Sequence, residues 1–107
     1  MFTYIQVQIT FPTEESADKM AEHIVQKRLA ACAQVLGPMR SRYVWKGKSE
    51  TEGEILLLAK TRLTLFDRLV ETVRDGHPYE CPQIVALPIV AGNADYLAWL
   101  DKQTEPE

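Results

Sequence analysis

The sequence predicts an α+β fold: one split βαβ domain over residues 1–107, with elements in the order βαββαβ and a further helix at the C-terminal end. Three observations predict it. Residues 5–11 alternate apolar and polar side chains, the period of a strand with one buried face. Stretches 17–29 and 66–73 carry apolar residues at helical spacing. Around them stand apolar runs of strand length, so strands and helices interleave. Right-handed crossovers then fold this order most simply in the ferredoxin-like way, with both main helices on one face of an antiparallel sheet.

The first strand puts Ile5, Val7, Ile9 and Phe11 on one side and Gln6, Gln8 and Thr10 on the other, and Pro12 closes it. Thr13 is the expected cap of the first helix, and Glu14 and Glu15 place negative charge where the helix dipole favours it. Ala17, Met20, Ala21, Ile24, Val25 and Leu29 make the stripe that faces the sheet. Residues 32–36 form a short apolar strand, interrupted by Gly37-Pro38 at a bend or bulge and resumed through Tyr43-Val44-Trp45. A turn region is expected between Gly47 and Gly53. After it the unalternating run Ile55-Leu56-Leu57-Leu58-Ala59 predicts a strand buried on both faces, so that the two segments make a long hairpin.

Thr64 is the expected cap of the second helix, with Asp67 at the reciprocal position and Phe66, Leu69, Val70 and Val73 as its stripe; Gly76 ends it. Residues 77–82 form a stiff loop, because two prolines remove donors and bias the residues before them away from helical geometry. Residues 84–90 are the last strand, and Pro88 is best tolerated if that strand lies at a sheet edge. Asn93 is the expected cap of a terminal helix containing Tyr96, Leu97, Trp99 and Leu100, and residues 104–107 are expected to fray.

Composition narrows the function. With 46% hydrophobic and 25% charged residues the chain has the balance of an ordinary globular domain, and a net charge of −3 argues against a nucleic-acid partner, which needs a concentrated basic face. Arg40, Arg42, Lys46 and Lys48 form only a local basic stretch, expected as a solvated face with Glu50, Glu52 and Glu54 opposite. No apolar stretch approaches the roughly 20 residues that span a bilayer, so no membrane partner is expected. The first residues run straight into a strand pattern, which makes the cytoplasm the expected compartment. Cys32 and Cys81 are too few for a disulfide framework and are expected as thiols. The sheet face away from the two helices has no element to cover it. The apolar third strand, with Tyr43 and Trp45 on the hairpin, would leave a lone molecule with a sizeable apolar patch, and self-association is the natural remedy.

Six segments in order carry a family resemblance: Thr10-Phe11-Pro12, Leu29-Ala30-Ala31-Cys32, Ser41-Arg42-Tyr43-Val44-Trp45-Lys46-Gly47, Glu54-Ile55-Leu56-Leu57-Leu58-Ala59-Lys60-Thr61, His77-Pro78-Tyr79-Glu80 and Tyr96-Leu97-Ala98-Trp99. In these the chain resembles the CutA family, the divalent-cation tolerance proteins. The resemblance implies a ferredoxin-like subunit in a tight homotrimer, similar in architecture to the PII signalling proteins, with a role in the response to metal ions and in copper binding. Two departures matter. Gln83 stands where the family more often has glutamate, and Ile9 and Thr72 stand where some bacterial relatives carry further cysteines suggested as copper ligands.

The candidate chemistry is sparse. Cys32 lies in an apolar run, where a thiol commonly packs as a small hydrophobe; its other reading is a soft donor for Cu(I), joined across a trimer by Met39. His77 is either a hydrogen-bonding residue or a metal ligand, and Cys81 four residues on does not share a helical face with it. Cys81 and His77 lack an assignable orienting group and oxyanion pocket, and no P-loop or nucleophile-elbow motif is present, so the chain is not expected to be an enzyme. Lys60, Arg62, Tyr79 and Glu80 are candidate contacts for a small ligand in an intersubunit cleft, and Tyr43 and Trp45 are candidate trimer contacts. Two functions follow as expectations. One is a homotrimer that weakly binds copper or another divalent ion, its only expected cofactor. The alternative is a PII-like signalling or scaffold module whose clefts take a small anion or a protein partner.

Overall fold

The computed structural model describes residues 2–105, with β1 (Tyr4–Phe11), α1 (Glu14–Gln26), β2 (Cys32–Trp45), β3 (Lys48–Arg62), a 3-10 turn (Leu63–Leu65), α2 (Phe66–Gly76), β4 (Ile84–Pro88) and α3 (Ala94–Gln103). The strands form one sheet in the order β2-β3-β1-β4, and every neighbouring pair is antiparallel. This is the split βαβ arrangement the sequence predicts, with the Pro88-containing strand at an edge. The core lies on one face: Ile5, Val7, Ile9 and Phe11 of β1 and Ile55, Leu57 and Ala59 of β3 pack with Ala17, Met20 and Ile24 of α1 and Leu69 and Val73 of α2. Hydrophobic burial of these side chains, at roughly 25 cal/mol per Å² of apolar surface, is what holds helices to sheet.

Local chemistry sets the element ends. Thr13 caps α1, its hydroxyl oxygen accepting the Ser16 N–H at 3.1 Å. The helix stops at Gln26 instead of reaching Leu29, because Arg28 turns left-handed (φ +60) and the N–H groups of Leu29 and Ala30 fold back onto the Ile24 carbonyl. Leu29 is still buried, whereas Val25 is 39% exposed and lies off the stripe. Thr64 does not cap α2: it sits within the 3-10 turn, and the cap position is Leu65, which offers no side-chain bond. Asn93 occupies the cap position of α3, yet its amide donates to Asp95 Oδ1 at 2.7 Å. The Asp95 carboxylate instead accepts the Tyr96 N–H, and these bonds, the one from Asn93 foremost, hold its pKa below the usual range.

The hairpin differs most from expectation. β2 and β3 pair from Cys32↔Lys60 to Trp45↔Lys48, with one register shift between Leu36 and Met39 at the cis Gly37-Pro38 peptide. The turn is only Lys46-Gly47, with φ values of +50 and +79, the pair of positive angles that matches the twist of a two-residue hairpin. Residues 48–53 are therefore strand, not turn. Their side chains are polar, so hydrophobic periodicity carried no strand signal there. The register also separates the charges: Glu50, Glu52 and Glu54 share a face with Tyr43, Ser41 and Met39, while Arg40 and Arg42 stand on the reverse face opposite Gly53 and Thr51. The expected facing of bases by acids forms only in part: Arg40 and Arg42 have no glutamate directly across the ladder, while Lys48 shares the glutamate face.

The second sheet face is partly covered. α3 packs across its end at Tyr4, Cys32 and Arg62: the Tyr4 hydroxyl donates to Asp101 Oδ2 at 2.8 Å, and the Arg62 guanidinium donates to the Thr104 hydroxyl at 2.9 Å and its carbonyl at 2.6 Å. Thr104 is 2% exposed, so the expected fraying does not begin there, and residues 106 and 107 lie outside the described ones. Beyond α3 the face stays open. Leu56 and Leu58 are only half-buried, against the expectation of a strand buried on both sides, and Leu36, Val85 and Leu87 stand beside them with 48%, 43% and 44% exposure.

Candidate functional site

At the end of the sheet away from α3, the projecting hairpin and the loop of residues 77–83 enclose a cleft of about 690 Å³. Thr10, Tyr43, Glu50, Glu52, Glu54 and Tyr79 line it, and Glu80, Cys81 and Gln83 stand at its margin. Strand alternation explains the acidic wall: Glu50, Glu52 and Glu54 recur every second residue and so point to one side. Glu54 is the innermost, 8% exposed, and its Oε2 accepts the Tyr79 hydroxyl at 2.8 Å. Desolvation first, then this bond and the neighbouring carboxylates, drives the Tyr79 phenol far above the ordinary tyrosine value. Tyr43 is raised in the same direction by desolvation and by Glu52, Glu54 and Glu50.

His77 anchors the loop. Its Nδ1 accepts the backbone N–H of Tyr79 at 3.0 Å, which leaves Nε2 as the protonated nitrogen, donating to the Thr10 carbonyl at 2.7 Å. The ring stacks on Phe11 with centroids 4.4 Å apart. Burial lowers its pKa, outweighing the Thr10 carbonyl and Glu54, which favour the charged form. Neither nitrogen has a lone pair left for a metal ion or for the Cys81 thiol.

The structure divides the residues singled out from sequence between the two ends. Tyr79 and Glu80 belong to the cleft, and Cys81 is exposed beside it. Lys60 and Arg62 do not join them. Lys60 pairs across the sheet with Gln6 and Cys32, donating to Gln34 Oε1 at 2.7 Å, and Arg62 is held by Thr104. Six to eight strand residues separate them from Glu54, roughly 20–27 Å at strand rise. Within one chain they hold no anion near Tyr79, and the carboxylate wall opposes one.

Cys32 lies at this second end, half-buried, with Tyr96 of α3 against it; desolvation and then Cys32 raise the Tyr96 phenol. Cys32 and His77 therefore lie at opposite ends of the sheet. Among the described residues no group of three His, Cys, Asp or Glu side chains is placed to hold a metal ion, so one chain's donors do not fit a resident metal. Ile9 is fully buried in the core and Thr72 half-buried on α2. Sequence reasoning missed the Glu54–Tyr79 pairing. Its available signal was the alternation Glu50, Glu52, Glu54, hidden by reading the first two as part of a turn.

Comparison with known proteins gives consistent findings. A family model described as CutA1 divalent ion tolerance protein matches residues 5–103. The divalent-cation tolerance protein CutA of Thermus thermophilus is 46% identical over 98 residues, covering 92% of this chain and 95% of that protein. The chloroplastic protein CutA 1 of rice is 42% identical over 100 residues, covering 94% of this chain and 56% of that protein. The chain spans about half the length of the rice, mouse and human relatives it matches. Among solved structures, CutA1 from Oryza sativa superposes with a TM-score of 0.94 at 40% identity, covering 99% of this chain and 97% of that one. No helix among the described residues is long and apolar enough to cross a membrane.

Proposed function

The chain belongs to the CutA1 divalent ion tolerance family, and from that premise we propose that it contributes to divalent-cation tolerance as a closed homotrimer that binds and assembles rather than catalyses. One observation carries the reading: the open strip of Leu36, Leu56, Leu58, Val85 and Leu87 on the sheet face that α3 leaves uncovered. A second copy would cover it at a gain of about 25 cal/mol per Å², over about 800 Å² per subunit for a standard interface. Tyr43 and Trp45, exposed on the projecting hairpin, extend that surface. Cys32 lies on the same face, so assembly is the step that would bring soft donors of several copies together around copper or another divalent ion, bound weakly.

Light scattering tests the assembly. A mass three times the chain's 12.2 kDa is expected, and Leu36→Glu with Leu87→Glu should bring it down. A folded 12.2 kDa species at high concentration removes the proposal. Titration with Cu(I), Cu(II) and Zn(II) tests the ion: Cys32→Ser should weaken binding at least tenfold while His77→Ala leaves it unchanged, and the same affinity in both variants refutes the role of Cys32.

A further inference from the structure

His77 lies outside the open strip of Leu36, Leu56, Leu58, Val85 and Leu87, and it is held on several sides. The Tyr79 N–H approaches Nδ1, Nε2–H approaches the Thr10 carbonyl, and the ring lies between Phe11 at 4.4 Å and the Tyr79 ring at 4.9 Å. The groups facing it are few. From β3 comes Glu54, from its own loop Tyr79, and from β1 only the Thr10 carbonyl and the Phe11 ring; Met20 of α1 packs near Gly76, which precedes it.

We propose that His77 is a proton-operated latch on the loop of residues 77–83: a proton taken up at Nδ1 turns the acceptor of the Tyr79 N–H into a donor, frees Tyr79, and opens the buried Glu54 carboxylate to the cleft. An N–H facing an N–H cannot stay seated. The Thr10 bond survives, because Nε2–H donates in both protonation states, so the ring remains on Phe11 as the pivot while the chain beyond it leaves. Departure of Tyr79 takes its hydroxyl from Glu54 Oε2, 2.8 Å away. The uncovered carboxylate then stands with Glu50 and Glu52 along one wall, open to solvent beside the charged imidazole.

The working range follows from the environment. Burial is the largest influence on His77 and lowers its pKa, so the latch is closed at neutral pH and opens below the ordinary histidine value of 6.5. An unfolded chain binds that proton at higher pH than the closed form does. Stability of the closed form therefore falls as pH drops through this window and recovers as pH rises.

The test uses the full ¹⁵N-labelled chain. Two-bond ¹H–¹⁵N correlations report the tautomer and titration of His77, and amide exchange at Tyr79, corrected for intrinsic pH dependence, reports the turn. The expected results are the Nε2–H tautomer at pH 7 and a protection factor at Tyr79 that falls about tenfold or more as His77 titrates. His77→Phe, which keeps the stacking and lacks the acceptor, should leave Tyr79 weakly protected at every pH. An Nδ1–H tautomer at pH 7, or protection at Tyr79 that is unchanged while His77 titrates, overturns the latch. Both readings come from the unmodified chain, so they decide the question even if His77→Phe does not fold.

Discussion

The two ends of the sheet are closed in the same manner by different chemistry. At one end the Arg62 guanidinium reaches the Thr104 hydroxyl and carbonyl, and Tyr4 reaches Asp101, tying α3 to β1 and β3. At the other the Tyr79 phenol reaches Glu54 and the His77 imidazole reaches Thr10, tying the loop after α2 to β3 and β1. Each set joins elements far apart in sequence. Arginine keeps its charge at any pH a protein meets, whereas histidine changes state near neutrality. The α3 end is thus a permanent closure and the cleft end a conditional one, which places any acid response where the acidic wall already stands.

The largest expected effect that tests this contrast is at the permanent end. Arg62→Ala removes two charge-assisted bonds and leaves the Thr104 carbonyl without its donor, a loss of about 2–3 kcal/mol. Denaturant midpoints at fixed protein concentration, from pH 5 to pH 8, check it. A loss below about 0.5 kcal/mol, or one that varies strongly over that range, would abolish the distinction between the ends. Thr104→Val is a gentler probe of the same closure. It removes the acceptor of Arg62 Nε and the donor to the Leu100 carbonyl while keeping the side chain's shape, for about 1–2 kcal/mol. Because both substitutions strike one network, the double variant should cost less than the sum of the two; strict additivity would show that the bonds act independently.

The fold was legible wherever apolar residues carried the period. Alternation in β1 and the stripes of α1 and α2 gave the element order, and the Pro88 constraint put β4 at an edge. Legibility failed where polar residues make the structure. Residues 48–53 hold no apolar side chain, so their strand pairing, and with it the acidic wall, could be read only through the Lys46-Gly47 turn. Thr104 reads as a terminal polar residue, and only its long-range partner Arg62 makes it part of the interior. The cleft was half legible: Tyr79 and Glu80 stand out as loop residues between prolines, yet Glu54 sits 25 positions from Tyr79, and nothing local announces that pairing. Lys60 and Arg62 were legible only as basic residues at a strand end; within one chain hydrogen bonds to Gln34 and Thr104 hold them away from Tyr79, so a cleft shared with Tyr79 would need a second copy.

The smallest effect sharpens the conditional end. Tyr79→Phe keeps the ring beside His77 and removes only the hydroxyl that Glu54 accepts, a loss of about 1 kcal/mol at neutral pH. Its pH dependence has a definite sign. Desolvation and Glu54 hold the folded phenol's pKa well above the unfolded value of 10.0, so above pH 10 the unfolded chain gives up this proton first. The contribution of Tyr79 is therefore complete below pH 10 and declines as pH rises beyond it. Tyr4, Tyr43 and Tyr96 are raised too, so both proteins lose stability in alkali, and only the difference between them isolates this hydroxyl. That difference should shrink from pH 9 to pH 11 in paired denaturation curves. A difference that grows over this range would mean that the phenol ionises more readily in the folded protein than in the unfolded chain, and Glu54 could not then be its hydrogen-bond acceptor.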